Sequence, residues 1–465
     1  MKTSAYNKSF LARITFVSAM GGLLFGYDWV VIGGAKPFYE AFFSITTNPA
    51  LQGWAMSCAL VGCLLGATLS GALSDRFGRK RLLIFSAFLF TLSAVGTGAV
   101  NNFNLFVIYR ILGGIGIGLA SNLSPMYIAE VSPAEIRGKY VSLNQLTIVL
   151  GILAAQIANW QIADLVPDDA TTSSILASWN GQMGWRWMFW AEVVPSTAFF
   201  LLMFFIPESP RWLAKNGSEN KVEQILAKIG GDEYSKKEYH NIRETLANEK
   251  GRVNFRFLFE PGMRKILIIG IVLAVFQQWC GINVIFNYAE EIFSQAGYGV
   301  SDTLFNIVIT GSVNLIFTLV AIYTVDRLGR RALMLLGAGG LAGIYTLIGA
   351  AYFFNITGWT LLLLVILAIA CYAMSLAPVT WVVLSEIFPN RIRGAAMAVA
   401  TFALWTACFI LTYTFPLLNS WLGASGTFWI YGLICIGGFV FVYNKLPETK
   451  EKSLEEIETE LIGNN

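Results

Sequence analysis

Twelve apolar stretches divide this chain almost end to end, near residues 10–34, 52–73, 82–100, 105–129, 140–163, 187–206, 265–289, 303–325, 332–354, 360–384, 395–418 and 425–446. Each is close to the ~20 apolar residues with which a helix crosses a bilayer. Twelve such helices use ~240 residues of the 465, which leaves room for short connections and one longer insert. With 55% of residues hydrophobic and 13% charged, against ~25% charged in a soluble domain, the chain cannot cover a water-facing surface. A soluble enzyme is excluded. The first stretch is too long for a signal-peptide core and lacks a small-residue cleavage pattern, so it is expected to stay as a membrane helix.

The stretches predict an all-α membrane protein with four regions: 1–206, a first set of six helices; 207–264, a polar, charged linker; 265–446, a second set of six; and 447–465, a tail. Basic residues orient it. With both termini cytoplasmic, 29 of the 32 lysines and arginines fall on the inner side, and Lys36 alone lies outside. Arg110 and Arg186 fall within helices 4 and 6. In the linker, Val222, Ile225, Leu226 and Ile229 mark one helical face, and Gly230-Gly231 ends it. Ser235 and Glu238 then have the spacing of a capping box. These read as linker helices packed beneath the bundle.

Several chemistries find no support. The six cysteines lie in apolar stretches without ligand-type spacing and read as packed thiols. The single histidine, His240, sits in a charged segment, which excludes catalytic triads and histidine-based zinc sites. Gly114-Ile115-Gly116-Ile117-Gly118 lies inside an apolar helix with no preceding strand, so it reads as close helix packing rather than a nucleotide loop. No metal, organic cofactor or ATP-driven step is expected. A net charge of +3 points to no nucleic-acid partner.

The chain also repeats itself. Asp75-Arg76-Phe77-Gly78-Arg79-Lys80 after helix 2 is echoed by Asp326-Arg327-Leu328-Gly329-Arg330-Arg331 after helix 8. Glu130, Pro133, Arg137 and Gly138 after helix 4 recur at the same spacing as Glu386, Pro389, Arg393 and Gly394 after helix 10. Pro207-Glu208-Ser209 after helix 6 returns as Pro447-Glu448-Thr449 after helix 12. Three echoes in one order and on one membrane side indicate two parallel six-helix halves, an arrangement suited to a transporter whose halves rock about a central site.

Intramembrane charges single themselves out next. A charge at mid-membrane costs ~2.5–3.5 kcal/mol on insertion scales, so Asp28 of helix 1 and Arg110 of helix 4 are expected to pair. The pair is either a static tie or a carboxylate poised to take and release a proton. Glu192 in helix 6 is a second embedded carboxylate, either a contributor to the same work or a partner for a helix-end group. For an uncharged polyhydroxyl substrate, amides and flat rings are the fitting contacts. Helix 7 supplies Gln277, Gln278 and Asn283, with Tyr288 beyond, and Gly281 permits a break that turns the amides inward. Asn314, Gln145, Trp381, Trp405 and Phe25 are the other candidates.

With Gly71 ahead of the Asp75–Lys80 string, Pro207-Glu208-Ser209-Pro210-Arg211-Trp212, and Gln277-Gln278-Trp279-Cys280-Gly281-Ile282-Asn283, the sequence resembles the sugar porter family of the major facilitator superfamily. Gly26-Tyr27-Asp28 and Ser124-Pro125-Met126-Tyr127-Ile128-Ala129-Glu130 draw the likeness towards bacterial xylose–proton symporters. The resemblance implies a monomeric alternating-access carrier in a bacterial inner membrane, with a proton as coupling ion and no chemistry on its sugar. It also implies that Asp28 is the proton site and that Gln145, Gln277, Gln278, Asn283, Asn314 and Trp381 contact the sugar. A facilitative uniporter and a non-transporting sugar sensor are the alternatives. Four positions depart from the family pattern: Ile152 and Leu404 stand where amides are usual, Ala377 replaces a glycine, and Asn287 replaces a tyrosine. Asp75, Arg79, Glu130, Arg137 and Glu208 are expected to cluster beneath one half, and Asp326, Arg330, Glu386, Arg393 and Glu448 beneath the other, as a cytoplasmic latch.

Overall fold

The computed structural model describes residues 6–167, 170–248, 258, 260–389, 393–450, 452, 456–457 and 460–461, without the side chains of Asn248, Pro261 and Asp326. Regular structure among the described residues is helical throughout. The first half holds span 1 (Lys8–Phe42), span 2 (Pro49–Phe77), span 3 (Arg79–Ala99), span 4 (Phe103–Val131), span 5 (Arg137–Ile162) and span 6 (Asn180–Phe205). After the insert come span 7 (Gly262–Asn287), span 8 (Val300–Val325), span 9 (Arg330–Phe353) and span 10 (Trp359–Ile387). The last helix, Arg393–Lys445, has 53 residues, ~80 Å of rise against a ~30 Å hydrocarbon core. Gly423, at φ 65° and ψ 176°, breaks it into span 11 (393–422) and span 12 (424–445), completing the expected twelve.

Local chemistry sets the helix ends. Asn48 and Asn102 each accept two backbone N–H groups at the starts of spans 2 and 4. The turns after spans 2 and 8 use Gly78 and Gly329, at φ 91° and 86°. At each, a Cβ would strike the carboxylate of Glu208 or Glu448, so the repeated glycine and the repeated glutamate are one device. Span 1 runs eight residues past its apolar stretch, because Lys36 and Glu40, at i and i+4, lie 3.5 Å apart and partly neutralise each other. Spans 2 and 4 approach closely: a Cβ on Gly114 or Gly118 would strike the carbonyl oxygen of Ala59 or Cys63. The glycine run is helix packing.

The insert forms Pro210–Lys215 and Glu219–Asn248, the latter turned at Gly231. Val222, Leu226 and Ile229 are buried, and the Ile229 carbonyl accepts Asn7 N–H at 2.8 Å, fixing the insert beneath the start of span 1. The Ser235 hydroxyl donates to the Glu223 carbonyl at 2.9 Å instead of closing a capping box, because the chain folds back at Gly231 and brings Glu223 within reach. Phe16, Val194, Phe205 and Trp421 are exposed, part of an outward apolar face that lipid would cover.

Candidate functional site

Asp28 and Arg110 meet as expected. The guanidinium donates to Asp28 Oδ1 and, at 3.2 Å, to the Asp28 carbonyl. Both residues are buried, at 1% and 2% exposure. Glu192 lies beside them: its carboxyl is 1% exposed and interacts electrostatically with both Asp28 and Arg110. Two carboxylates therefore share one guanidinium. If all three were ionised the group would hold one net negative charge, and a single proton makes it neutral. Asp28 Oδ2, Glu192 Oε1 and Ser93 Oγ have no hydrogen-bond partner among the described residues. Gly113 keeps this space open, since a Cβ there would lie 3.1 Å from Asp28 Oδ2. Ser93 and Gly113 carry no sequence signal that reasoning from charge could have found.

Asp28 lies between two rings on span 1. Phe25, Trp29 and Trp405 form a triangle with all three centroid separations at 6.0 Å, so spans 1 and 11 touch across the halves. Trp29 escaped the sequence reading because an apolar helix offers no reason to prefer one tryptophan over another. A narrow cavity beside it is lined by Cys63, Arg110 and, from the other half, Asn287.

On span 7 the amides form a chain. Tyr372 Oη accepts from Gln277 Nε2 at 2.6 Å, Gln277 Oε1 accepts from Gln278 Nε2 at 2.5 Å, and Asn283 donates to Gln278 Oε1. Gly281, at φ 87°, separates Pro261–Trp279 from Ile282–Asn287 and lets the chain turn across the break. Tyr372 is a member that the sequence did not single out. Asn314 is buried, Gln145 half-buried and Trp381 37% exposed. None of the three makes a hydrogen bond or ring contact with the others. Tyr288 is directed elsewhere: its hydroxyl donates to the Thr412 carbonyl at 2.7 Å and its ring packs on Phe415 at 4.6 Å.

Tyr288 leads to the end of the bundle opposite the insert, where Lys36 gathers three carboxylates. Its Nζ lies 3.5 Å from Glu40, 3.5 Å from Glu290 and 3.4 Å from Glu291. Gln52 donates to Glu40 at 2.9 Å, and Asn419 to Glu291 at 2.5 Å. Spans 1 and 2 are thereby tied to the segment after span 7 and to span 11, so the far mouth is bridged shut. Lys36 was legible as a cation at the end opposite the insert, but its partners were not.

At the insert end the expected clusters form within each half. Arg79 reaches Glu130 at 2.9 Å and Asp75 at 3.5 Å, while Glu208 accepts the backbone N–H groups of Arg79 and Lys80 at 3.0 Å. In the other half Arg330 reaches Glu386 at 3.1 Å, and Thr449 donates to Glu386 at 2.6 Å. Partial burial pushes the Glu448 carboxyl up, but N–H groups of Lys450, Arg330, Arg331 and Thr449 outweigh it and hold it below the usual carboxylate range. Arg137, at the start of span 5, is exposed and makes no ion pair among the described residues. Arg393 donates to the Phe388 carbonyl at 3.1 Å, and among the described residues it meets no carboxylate. The Asp326 side chain lies outside the described residues. No insert-end ion pair among the described residues joins the first half to the second.

A family profile described as "Sugar (and other) transporter" matches residues 14–461. The chain is 41% identical to the D-xylose-proton symporter of Escherichia coli over 97% of this chain and 96% of that protein. It is 40% identical to the arabinose-proton symporter of Bacillus subtilis over 98% of this chain and 96% of that one. An inward open structure of the xylose transporter XylE from E. coli superposes with a TM-score of 0.84 at 39% identity, covering 97% of this chain and 99% of XylE.

Proposed function

Because this chain belongs to the sugar transporter family and has the major facilitator fold, we propose that it is a proton-coupled symporter that imports a monosaccharide by alternating access. The observation that carries this reading is the second carboxylate. Glu192 beside Asp28 and Arg110 makes the buried group neutral only when it holds a proton, and a net charge in the membrane interior is costly. Asp28 sits between Phe25 and Trp29, so the helix that carries the proton group also carries two of the three rings bridging the halves. Protonation and movement of the sugar cradle are thus linked through one rigid element. The insert end faces the cytoplasm, a reading supported by the concentration of basic residues there. No enzymatic chemistry is assigned, and the partners are a sugar and the bilayer.

The sugar is taken by the span 7 amides, with the aromatic triangle covering its C–H face. Gln277→Leu removes one amide and also leaves the Tyr372 hydroxyl and Gln278 Nε2 without their partner. It is expected to raise the half-saturation concentration of the preferred sugar roughly 10- to 100-fold, measured as uptake at equal membrane abundance. At the insert end, the cluster around Glu386 acts as an inner latch when the inner mouth closes. Glu386→Ala is then expected to favour the inward-facing state in accessibility labelling; unchanged labelling makes the cluster only a brace for the turn after span 8. The function as a whole is tested with labelled pentoses and hexoses in proteoliposomes, with and without an imposed proton gradient. Gradient-driven accumulation of at least one sugar is expected. Equal steady-state levels under both conditions exclude coupling.

A further inference from the structure

Span 5 carries a buried amide that holds nothing. Gln156 is 2% exposed, and neither its Nε2 nor its Oε1 has a hydrogen-bond partner among the described residues. Its side chain lies on Gly311 of span 8, where any Cβ would strike Oε1. Span 5 belongs to the first half and span 8 to the second, so the amide sits in the seam between them. Two features tie that seam to the sugar cradle. At 100° per residue, Gln145, Ile152 and Gln156 share one face of span 5, and Asn314 lies one turn from Gly311 on span 8. A glutamine buried between helices ordinarily ties them together. This one ties none, and a leucine of similar volume would fill the same place without an unmet donor and an unmet acceptor.

We infer that Gln156 is a specificity-determining residue whose amide reads a pair of adjacent sugar hydroxyls once the seam between spans 5 and 8 separates. The inference rests on the sugar symport proposed above. An amide offers one donor group and one acceptor, and neighbouring hydroxyls of a monosaccharide can accept one bond and donate the other. The seam stays shut while Lys36 holds the far mouth closed, so Gln156 engages the sugar in the outward-facing state. It thereby supplies an amide one turn beyond Ile152.

The test uses purified full-length protein in nanodiscs with D-xylose, L-arabinose and D-glucose, and the monodeoxy analogues of whichever sugar the wild type binds best. Gln156→Leu is expected to weaken the parent sugar about tenfold. Wild type is expected to lose about the same factor on two analogues that lack neighbouring hydroxyls, while the leucine variant binds those two as well as it binds the parent. Gly311→Ala, which displaces the amide without removing it, is expected to give the same pattern. Uniform weakening of parent and all analogues, or no weakening, overturns the assignment as a purely structural or silent role. Binding of the parent sugar by wild type with no Gln156 effect leaves the symport reading standing; absence of any sugar binding by wild type overturns both. Unchanged melting temperature in the leucine variant, expected because no native hydrogen bond is lost, separates a binding defect from misfolding.

Discussion

Replacing Asp28 by asparagine is expected to abolish proton-driven accumulation while leaving sugar exchange measurable. In the wild-type group two carboxyls face one guanidinium, and the charge count changes with one proton. Asp28→Asn leaves Glu192 and Arg110 as a single opposite pair, which is neutral without a proton and has nothing to load or unload. Both mouths can still open and close, because the neutral pair imposes no mid-membrane charge on either state. In proteoliposomes with an inward proton gradient the steady-state sugar ratio should fall to unity, and alkalinisation of the medium on sugar addition should vanish. Counterflow of labelled sugar should persist. Glu192→Gln leaves the equivalent pair of Asp28 and Arg110 and is expected to lose accumulation in the same way. Uphill uptake by Asp28→Asn would remove Asp28 from the coupling step and return the pair to a static tie between spans 1 and 4.

The second large effect is expected at the opposite end of the same helix. Lys36 lies eight residues beyond Asp28, ~12 Å along span 1, and is the only cation among the described residues within ion-pair distance of Glu40, Glu290 and Glu291. Lys36→Met keeps the apolar stem and removes the charge, leaving three carboxylates crowded in a buried site. Removing one partner of a buried ion pair costs about 3–5 kcal/mol, so the equilibrium should move roughly 100-fold or more towards an open far mouth. Spin labels on the exposed residues Thr47 and Gln295, one in each half, with half-buried Cys371 replaced by serine, report the separation directly. The expected result is a shift from the short to the long distance. Adding Glu290→Gln and Glu291→Gln to Lys36→Met should restore much of the short-distance population. An unchanged distance distribution in Lys36→Met would make the network a packing feature and not a gate.

The residues divide by how far their partners lie along the chain. The Asp28–Arg110 pair was anticipated because two opposite charges in apolar helices have few other places to go. The Gln277–Gln278–Asn283 cluster was anticipated because its members lie within seven residues around one glycine. The insert-end clusters were visible through repetition, although two of their arginines, Arg137 and Arg393, turned out to face solvent or a carbonyl instead. Tyr372 lies 95 positions from Gln277, and Glu290 lies 254 from Lys36. Nothing local marks either one. Glu192 was read with two outcomes open, and only the packing of span 6 against spans 1 and 4 placed its carboxyl beside Asp28 and Arg110.

The amino-acid sequence by itself determined the number of spans, the two parallel halves and the sided distribution of basic charge. In lipid, each helix must satisfy its own backbone hydrogen bonds, and length and polarity decide that segment by segment. Tertiary structure alone decided which buried charges and amides meet, which mouth is bridged and which amide is left unmet. The physical reason is that a buried charge or dipole is satisfied by a neighbour from another helix, and that neighbour is set by how twelve helices pack.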